Sequence, residues 1–227
     1  MTDHASHRHD DIIDLLQGVK DFSVRVFPEK QELFSELAQG QSPHSLFITC
    51  ADSRISPGTI TQKGPGELFV LRNIGNIVPP YGEMLGGVSA AIEYAVMALK
   101  VRNIIVCGHS DCGAMKALMD PDRYGLHTMP TVGSWLRHAE TARAVTRAIG
   151  DAGPEGGCDA VSTMAEQNVL LQLAHLRTHP AVAAGCAEGS LLLQGWLYDI
   201  GSGTVSVFDE HSTTPKTVDQ AIAALRA

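Results

Sequence analysis

The sequence predicts an α/β domain with a mostly parallel central β-sheet flanked by helices, an N-terminal helical arm and an edge strand pair near the C-terminus. Three observations predict it. Short apolar runs at residues 45–49 (SLFIT), 68–71 (LFVL) and 103–107 (NIIVC) read as buried strands. Longer stretches with helical apolar spacing separate them, and strands alternating with helices imply parallel pairing with both sheet faces covered. Residues 191–200 and 204–208, joined by Gly201-Ser202-Gly203, read as a late strand pair at the sheet edge.

The elements follow in order. Ile12, Leu15, Leu16 and Val19 recur at helical spacing, followed by Phe22 and Val26. Pro28 opens a second helix at a favoured first-turn position, Gly40 closes it, and Leu33, Phe34 and Leu37 form its buried face. These helices make residues 1–44 an arm appended to an α/β domain at 45–227, one structural domain overall, and one of them could pack on a partner subunit. Residues 86–100 form a helix with the stripe Val88, Ile92, Val96 and Leu99. Another begins at 113–119. A long one spans 159–177 with Val161, Ala165, Val169, Leu173 and Leu176, and a last helix spans 217–226. The loops at 121–131 and 150–157 are rich in Gly and Pro but lack the length and composition of an interdomain linker. No internal repeat is visible.

Composition excludes several functional classes. A chain of 227 residues with 44% hydrophobic and 19% charged residues is an ordinary globular length and mixture. Its net charge of −8 argues against nucleic acid or an anionic membrane surface as partner. No apolar run approaches the roughly 20 residues needed to span a bilayer. The polar, His-rich start has no signal-peptide core, so a cytoplasmic location is expected. The five cysteines, Cys50, Cys107, Cys112, Cys158 and Cys186, show no dense disulfide pattern, and a reducing compartment keeps thiolates available.

Chemistry concentrates in two segments, Cys50-Ala-Asp52-Ser-Arg54 and His109-Ser-Asp-Cys112, each at the end of a predicted strand. In open parallel sheets that edge is where ligands bind. Two thiolates and one imidazole make a three-ligand zinc site with one coordination position left for water, the pattern of a catalytic zinc. Cys112 also begins a helix, whose positive end favours the thiolate. Asp52 and Arg54 lie on the same side of an extended chain beside the open position. Asp52 can accept the hydrogen of a zinc-bound hydroxide, and Arg54 can hold it ionised by a bidentate pair. Without that pair the carboxylate could swing onto the zinc, so Asp52 is also the natural off-switch. The arrangement points to attack by metal-bound hydroxide on a small electrophile.

The segments CADSRISPGTI, GPGELFVLRNIGNIVPP, GVSAAIEYAV and VCGHSDCGAMKAL closely resemble the β-class carbonic anhydrases, and EQNVLLQLAHLRTHP and GWLYDIGSGTV carry weaker echoes. The resemblance implies reversible hydration of carbon dioxide to bicarbonate and a proton. It also implies zinc on Cys50, His109 and Cys112, Asp52 and Arg54 as the catalytic dyad, and a homodimer or dimer-based tetramer. It adds Gln41 as an amide donor to substrate, and Phe69, Ile74 and Tyr94 as a narrow apolar entrance; read by themselves, those three are packing residues. The pocket would be shared between subunits, with the N-terminal helices reaching across.

A second branch of that family binds bicarbonate at a noncatalytic site through a Trp, an Arg and a Tyr. Here Arg72 and Tyr198 match, but Phe47 stands in place of the Trp, which with Gln41 favours the open, nonallosteric branch. One residue more than the plant-type spacing precedes the Pro65-Gly66 turn, which leaves the place of Gln62 open. Hydrolysis of carbonyl sulfide or carbon disulfide on the same fold is the alternative chemistry. A silent bicarbonate-binding or assembly subunit is the alternative class, against which stands the presence of every ligand and dyad residue. His127, His138, His175, His179 and His211 have no partner visible in sequence, and one of them could relay protons.

Overall fold

A computed structural model of the chain describes residues 3–83, 85–152, 160–209 and 214–227. Residues 153–157 of the second Gly/Pro-rich loop, Cys158, Asp159 and His211 lie outside the described residues. The chain divides into two compact units, Met1–Gln41 and Ser42–Ala227.

The first unit is helical: α1 (Asp3–Asp21), a π-helical turn (Phe22–Val26), α2 (Phe27–Glu29) and α3 (Gln31–Leu37). Pro28 does not open a separate helix as expected. The backbone stays helical through Asp21, Val26 and Phe27, and the break comes at Lys30, where φ is −115° and ψ 19°. A proline inside a helix lacks an N–H and crowds the carbonyl four residues back. The wider turn just before it, in which the Phe27 N–H reaches Phe22 O, relieves that crowding. Nor do Leu33, Phe34 and Leu37 form a buried face: Leu33 is exposed and the other two are half-buried. Phe22, Phe27 and Phe34 instead cluster with ring centroids 5.4–6.1 Å apart. Ile12, Leu15, Leu16 and Val19 of α1 are all exposed.

The second unit holds the sheet, formed by β1 (Ser45–Cys50), β2 (Leu68–Asn73), β3 (Asn103–His109), β4 (Leu192–Tyr198) and β5 (Val205–Asp209) in the order β2-β1-β3-β4-β5. The first four pair in parallel and β5 pairs antiparallel to β4, so the late strand pair does lie at one edge. Between strands run α4 (Pro57–Thr61), α5 (Gly87–Glu93), α6 (Gly113–Met119), α7 (Pro130–Leu136), α8 (Glu140–Ala152), α9 (Ala160–Leu176) and α10 (Pro180–Ala187). After β5 comes α11 (Val218–Arg226), started by a capping box of Thr217 and Gln220. The helix expected at 86–100 is α5 continued by a π-helical turn, Tyr94–Ala98. Helices α7, α8 and α10 had no counterpart in the sequence expectations; α10, PAVAAGCA, has no polar residue to set up a helical contrast. Among the described residues no helix is long and apolar enough to cross a membrane.

Chain order decides how the sheet is covered. From β1 the chain steps one way to β2, then back past β1 to β3, and onward to β4. Right-handed crossovers put α4 on one face and α5, α9 and α10 on the other. The second face is well packed: Leu46, Ile48, Ile104, Val106 and Leu193 meet Ile92, Leu173, Leu176 and Val182 in one buried cluster. Helix α9 lies tight on it because β3 and β4 present glycines there. A Cβ on Gly108 would stand 2.7 Å from Val169 Cγ2, and one on Gly195 2.6 Å from Val169 Cγ1.

The other face also carries helices. Among the described residues of the second unit, the five-residue α4 and α11 lie on it, and an apolar cavity of about 470 Å³ opens between Phe47, Leu68, Ile105, Trp196, Val207 and Leu225. Strand β2 is not a buried strand: it is the other edge, and Val70 and Arg72 are exposed.

Candidate metal centre

The step back from β2 to β3 makes the C-terminal ends of β1 and β3 the point where chain direction across the sheet reverses, a preferred ligand site in such sheets. Cys50 is the last residue of β1 and His109 the last of β3; Cys112 follows as the N-cap of α6. All three are buried, and their ligand atoms lie within 4.8 Å of one another.

The donor chemistry fits a divalent zinc-type cation. His109 Nδ1 lies 2.9 Å from the Ser110 carbonyl, which can only accept, so Nδ1 carries the proton and Nε2 offers a lone pair. That Nε2 is buried and, among the described residues, has no hydrogen-bond partner. A buried nitrogen acceptor is costly to leave unmatched, and a cation is the partner its position calls for. Ser110 is itself fixed: its N–H donates to Tyr198 O at 2.9 Å and its hydroxyl accepts from Ile200 N at 2.9 Å. A backbone carbonyl thereby sets the imidazole tautomer.

The thiols are equally prepared. Cys50 is held well below the usual thiol range, first by the hydrogen bond from Cys112 and also by the backbone at Asp52 and Gly75. Cys112 is pushed up by the Cys50 thiolate beside it and by burial, although backbone groups of Met115 and Ala114 act in the opposite sense. A divalent cation bound here would be held by both sulfurs as thiolates.

Asp52 and Arg54 meet as the sequence leads one to expect, but in a turn rather than an extended chain: Ile55 N donates to Asp52 O at 3.1 Å. Asp52 Oδ1 accepts from Arg54 N at 3.0 Å and Nε at 2.9 Å, and Oδ2 accepts from Nη2 at 2.7 Å. The Arg54 side chain holds the carboxyl below the usual carboxylate range, so it is ionised at any working pH. Its Oδ2 lies 3.9 Å from His109 Nε2, beside the place a cation would occupy.

The remaining expected residues are placed less tightly. Phe69 and Tyr94 meet, with ring centroids 6.0 Å apart, and Tyr94 is half exposed. Ile74 follows Asn73, the register partner of Cys50, and its carbonyl accepts from Trp135 Nε1 at 2.8 Å. Gln41 is exposed and belongs to the first unit. Phe47 is fully buried with its ring edge-on to Trp196, and Tyr198 is the register partner of His109. Gln62, whose place the spacing left open, caps α4 in a left-handed conformation.

The sequence analysis did not reveal how several residues support the site. Arg72 donates from Nε to Cys50 O at 3.1 Å and from Nη2 to Asp52 O at 2.6 Å, gripping the backbone on both sides of Ala51. Asp111, between the ligands His109 and Cys112, accepts from Arg54 Nη1 at 3.0 Å and pairs with Lys116. A polar ladder on α9 and the residues after it holds the segment behind the site. Asn168 Nδ2 donates to Gly75 O, Gln172 Oε1 accepts from Val78 N, His175 Nδ1 donates to Val78 O and His179 Nε2 to Pro79 O. The positions 168, 172, 175 and 179 recur at helical spacing, a second stripe beside the apolar one, and that was the signal that could have found them.

Comparison with known proteins gives a consistent result. A family model described as "Carbonic anhydrase" matches residues 45–205. A carbonic anhydrase of Pseudomonas aeruginosa is 49% identical over 196 residues, covering 86% of this chain and 87% of that protein. One of Synechococcus elongatus is 42% identical over 206 residues, covering 91% and 75%. Among solved structures, the β-carbonic anhydrase CcaA superimposes with a TM-score of 0.86 at 40% identity, covering 92% of each chain. A structure from a report on two tetrameric β-carbonic anhydrases of Sordaria macrospora does so with a TM-score of 0.70 at 32% identity, covering 91% of this chain and 98% of that one.

Proposed function

The chain belongs to the β-carbonic anhydrase family, and on that premise we propose that it hydrates carbon dioxide reversibly at a zinc ion held by Cys50, His109 and Cys112, with Asp52 and Arg54 as the working pair. The observation that carries this reading is the unmatched His109 Nε2 between two thiols, with an Arg-held carboxylate oxygen 3.9 Å away. Zinc, when bound, would supply Lewis acidity sufficient to make a coordinated water nucleophilic near neutral pH.

The chain's own groups do the rest. Asp52, ionised and acceptor-only, takes the hydrogen bond of the attacking water and turns its lone pair toward the carbon of substrate. Arg54 grips both Asp52 oxygens, which keeps that acceptor in one orientation. Gln41 donates an amide N–H to a substrate oxygen and stabilises the charge that develops there without adding a fixed charge. Phe69, Ile74 and Tyr94 line an apolar entrance suited to a small uncharged molecule. Bicarbonate then leaves, and the proton passes to bulk buffer.

The engaged Asp52–Arg54 pair and the buried Phe47 in place of a Trp support the open, nonallosteric branch. The exposed apolar stripe Ile12, Leu15, Leu16 and Val19 supports a homodimer, or a tetramer of such dimers, in which this arm reaches across to a partner. Thiol ligands suit a reducing, cytoplasmic setting.

The test is stopped-flow hydration of carbon dioxide by the zinc-loaded protein and by Asp52→Asn, with carbonyl sulfide run alongside. Turnover should fall by a factor of about 100 or more in the variant while zinc stoichiometry is retained. Full turnover in Asp52→Asn would refute the role of Asp52. Absent hydration beside rapid carbonyl sulfide hydrolysis would refute the substrate.

A further inference from the structure

Arg54 is held from two sides. Its Nε and Nη2 bind the two oxygens of Asp52, while Nη1 donates to Asp111 Oδ2 at 3.0 Å and Nη2 also reaches Asp111 O at 3.2 Å. The guanidinium thus ties the turn after β1 to the loop after β3, the two segments that carry the metal ligands. Asp111 stands in the left-handed region at φ 57°, a conformation that Asp tolerates better than most residues. Lys116, one turn into α6, pairs with the other oxygen of Asp111. Four charges therefore alternate in a row, Asp52, Arg54, Asp111 and Lys116, and they sum to zero.

We propose that Asp111, braced by Lys116, is a positioning residue that locks Arg54 onto Asp52 and so keeps the Asp52 carboxylate off the metal. This rests on the proposed role of Asp52 and Arg54. The physical argument concerns freedom of motion. The Arg54 side chain is 42% exposed and Asp52 is its neighbour in a short turn, so their pair alone would be loosened by solvent and rotamer entropy. Anchoring the far edge of the guanidinium removes that freedom before Asp52 is engaged. Lys116 offsets the repulsion that a second carboxylate would otherwise bring near Asp52. If the anchor is lost, Asp52 Oδ2, already 3.9 Å from His109 Nε2, is free to rotate onto the cation and compete for its open position.

The experiment is an azide titration of the cobalt-substituted protein, followed by visible absorption, because azide competes with Asp52 for that position. Asp111→Ala should weaken azide binding about three- to fivefold, a loss the size of one exposed ion pair. Lys116→Met, which leaves the ligand loop untouched, should act in the same direction with a smaller effect. In an Asp52→Asn background, Asp111→Ala should leave azide affinity unchanged within about twofold, because the competing carboxylate is gone. Should Asp111→Ala fail to load cobalt, Asp111→Gly is read by the same criteria, since it also removes the acceptor for Arg54 and suits the left-handed backbone at this position.

Unchanged azide affinity with Asp52 intact overturns the proposal. So does an equal loss in both backgrounds, which would mean that Asp111 shapes the loop and does not act through Asp52. The parent reading fails separately: undiminished carbon dioxide hydration by Asp52→Asn removes the working pair and this inference with it.

Discussion

Asn168 offers the sharpest link between the core and the site. It is buried on α9, donates from Nδ2 to Gly75 O at 3.0 Å and accepts at Oδ1 from Gln172 Nε2 at 2.8 Å. Gln172 in turn accepts from Val78 N at 2.8 Å, and the backbone of Gly75 helps hold the Cys50 thiolate. Asn168→Ala deletes both contacts and orphans a buried carbonyl and a buried amide N–H. At about 1–3 kcal/mol for each, the sum is about 2–6 kcal/mol, and water entering the space left by the side chain should keep the loss near 3 kcal/mol. Asn168→Asp should cost more near neutral pH: its carboxylate still accepts from Gln172, but it cannot donate to Gly75 and carries a buried charge. A carboxyl buried there has a raised folded-state pKa, so the stability of that variant should recover on acidification, when the group is protonated and can donate again. The assay is urea unfolding of the zinc-loaded protein at one fixed protomer concentration, with zinc release to a chelator as the second readout. A loss under about 1 kcal/mol for Asn168→Ala, with unchanged zinc release, would refute the claim that this ladder supports the site.

Two further outcomes are expected. Arg72→Met removes the grip on the Cys50 and Asp52 carbonyls and should weaken zinc binding about tenfold in chelator competition; an unchanged affinity would show that the turn holds its shape unaided. His175 and His179 both have lowered pKa values, chiefly because burial disfavours the charged ring. The unfolded chain therefore binds these protons more tightly than the folded one. Their contribution is fully present above the ordinary histidine value of 6.5 and is lost as pH falls below it. Urea midpoints from about pH 8 to about pH 5.5 should fall less steeply for His179→Gln than for the parent chain, and parallel curves would contradict the assignment.

The candidate metal cluster and the carboxylate–guanidinium pair beside it were legible along the chain because their residues are local. Cys50, Asp52 and Arg54 fall within one turn, and His109 and Cys112 within another, so spacing alone carries their meaning. The strands were legible for a similar reason: β1 and β3 are buried on both faces and show as unbroken apolar runs, and the buried positions Ala165, Val169, Leu173 and Leu176 of α9 recur at helical spacing. What supports the site was not legible. The resemblance marks Arg72 for a different, noncatalytic site, and only the Cys50↔Asn73 register of β1 and β2 lays it against the backbone it grips. Asp111 reads as a spacer between ligands until Arg54 arrives from 57 residues away.

The sequence by itself determined which side chains can bind a cation, that they sit at strand ends, and that the chain alternates strands with helices. Periodicity and residue chemistry are properties of neighbours in the chain. Tertiary structure alone decided that the ends of β1 and β3 lie side by side, that an apolar cavity opens on one sheet face, and that the Arg54 guanidinium bonds Asp52 and Asp111 at once. Those outcomes follow from strand order and the handedness of the crossovers, which bring together segments that no local pattern relates.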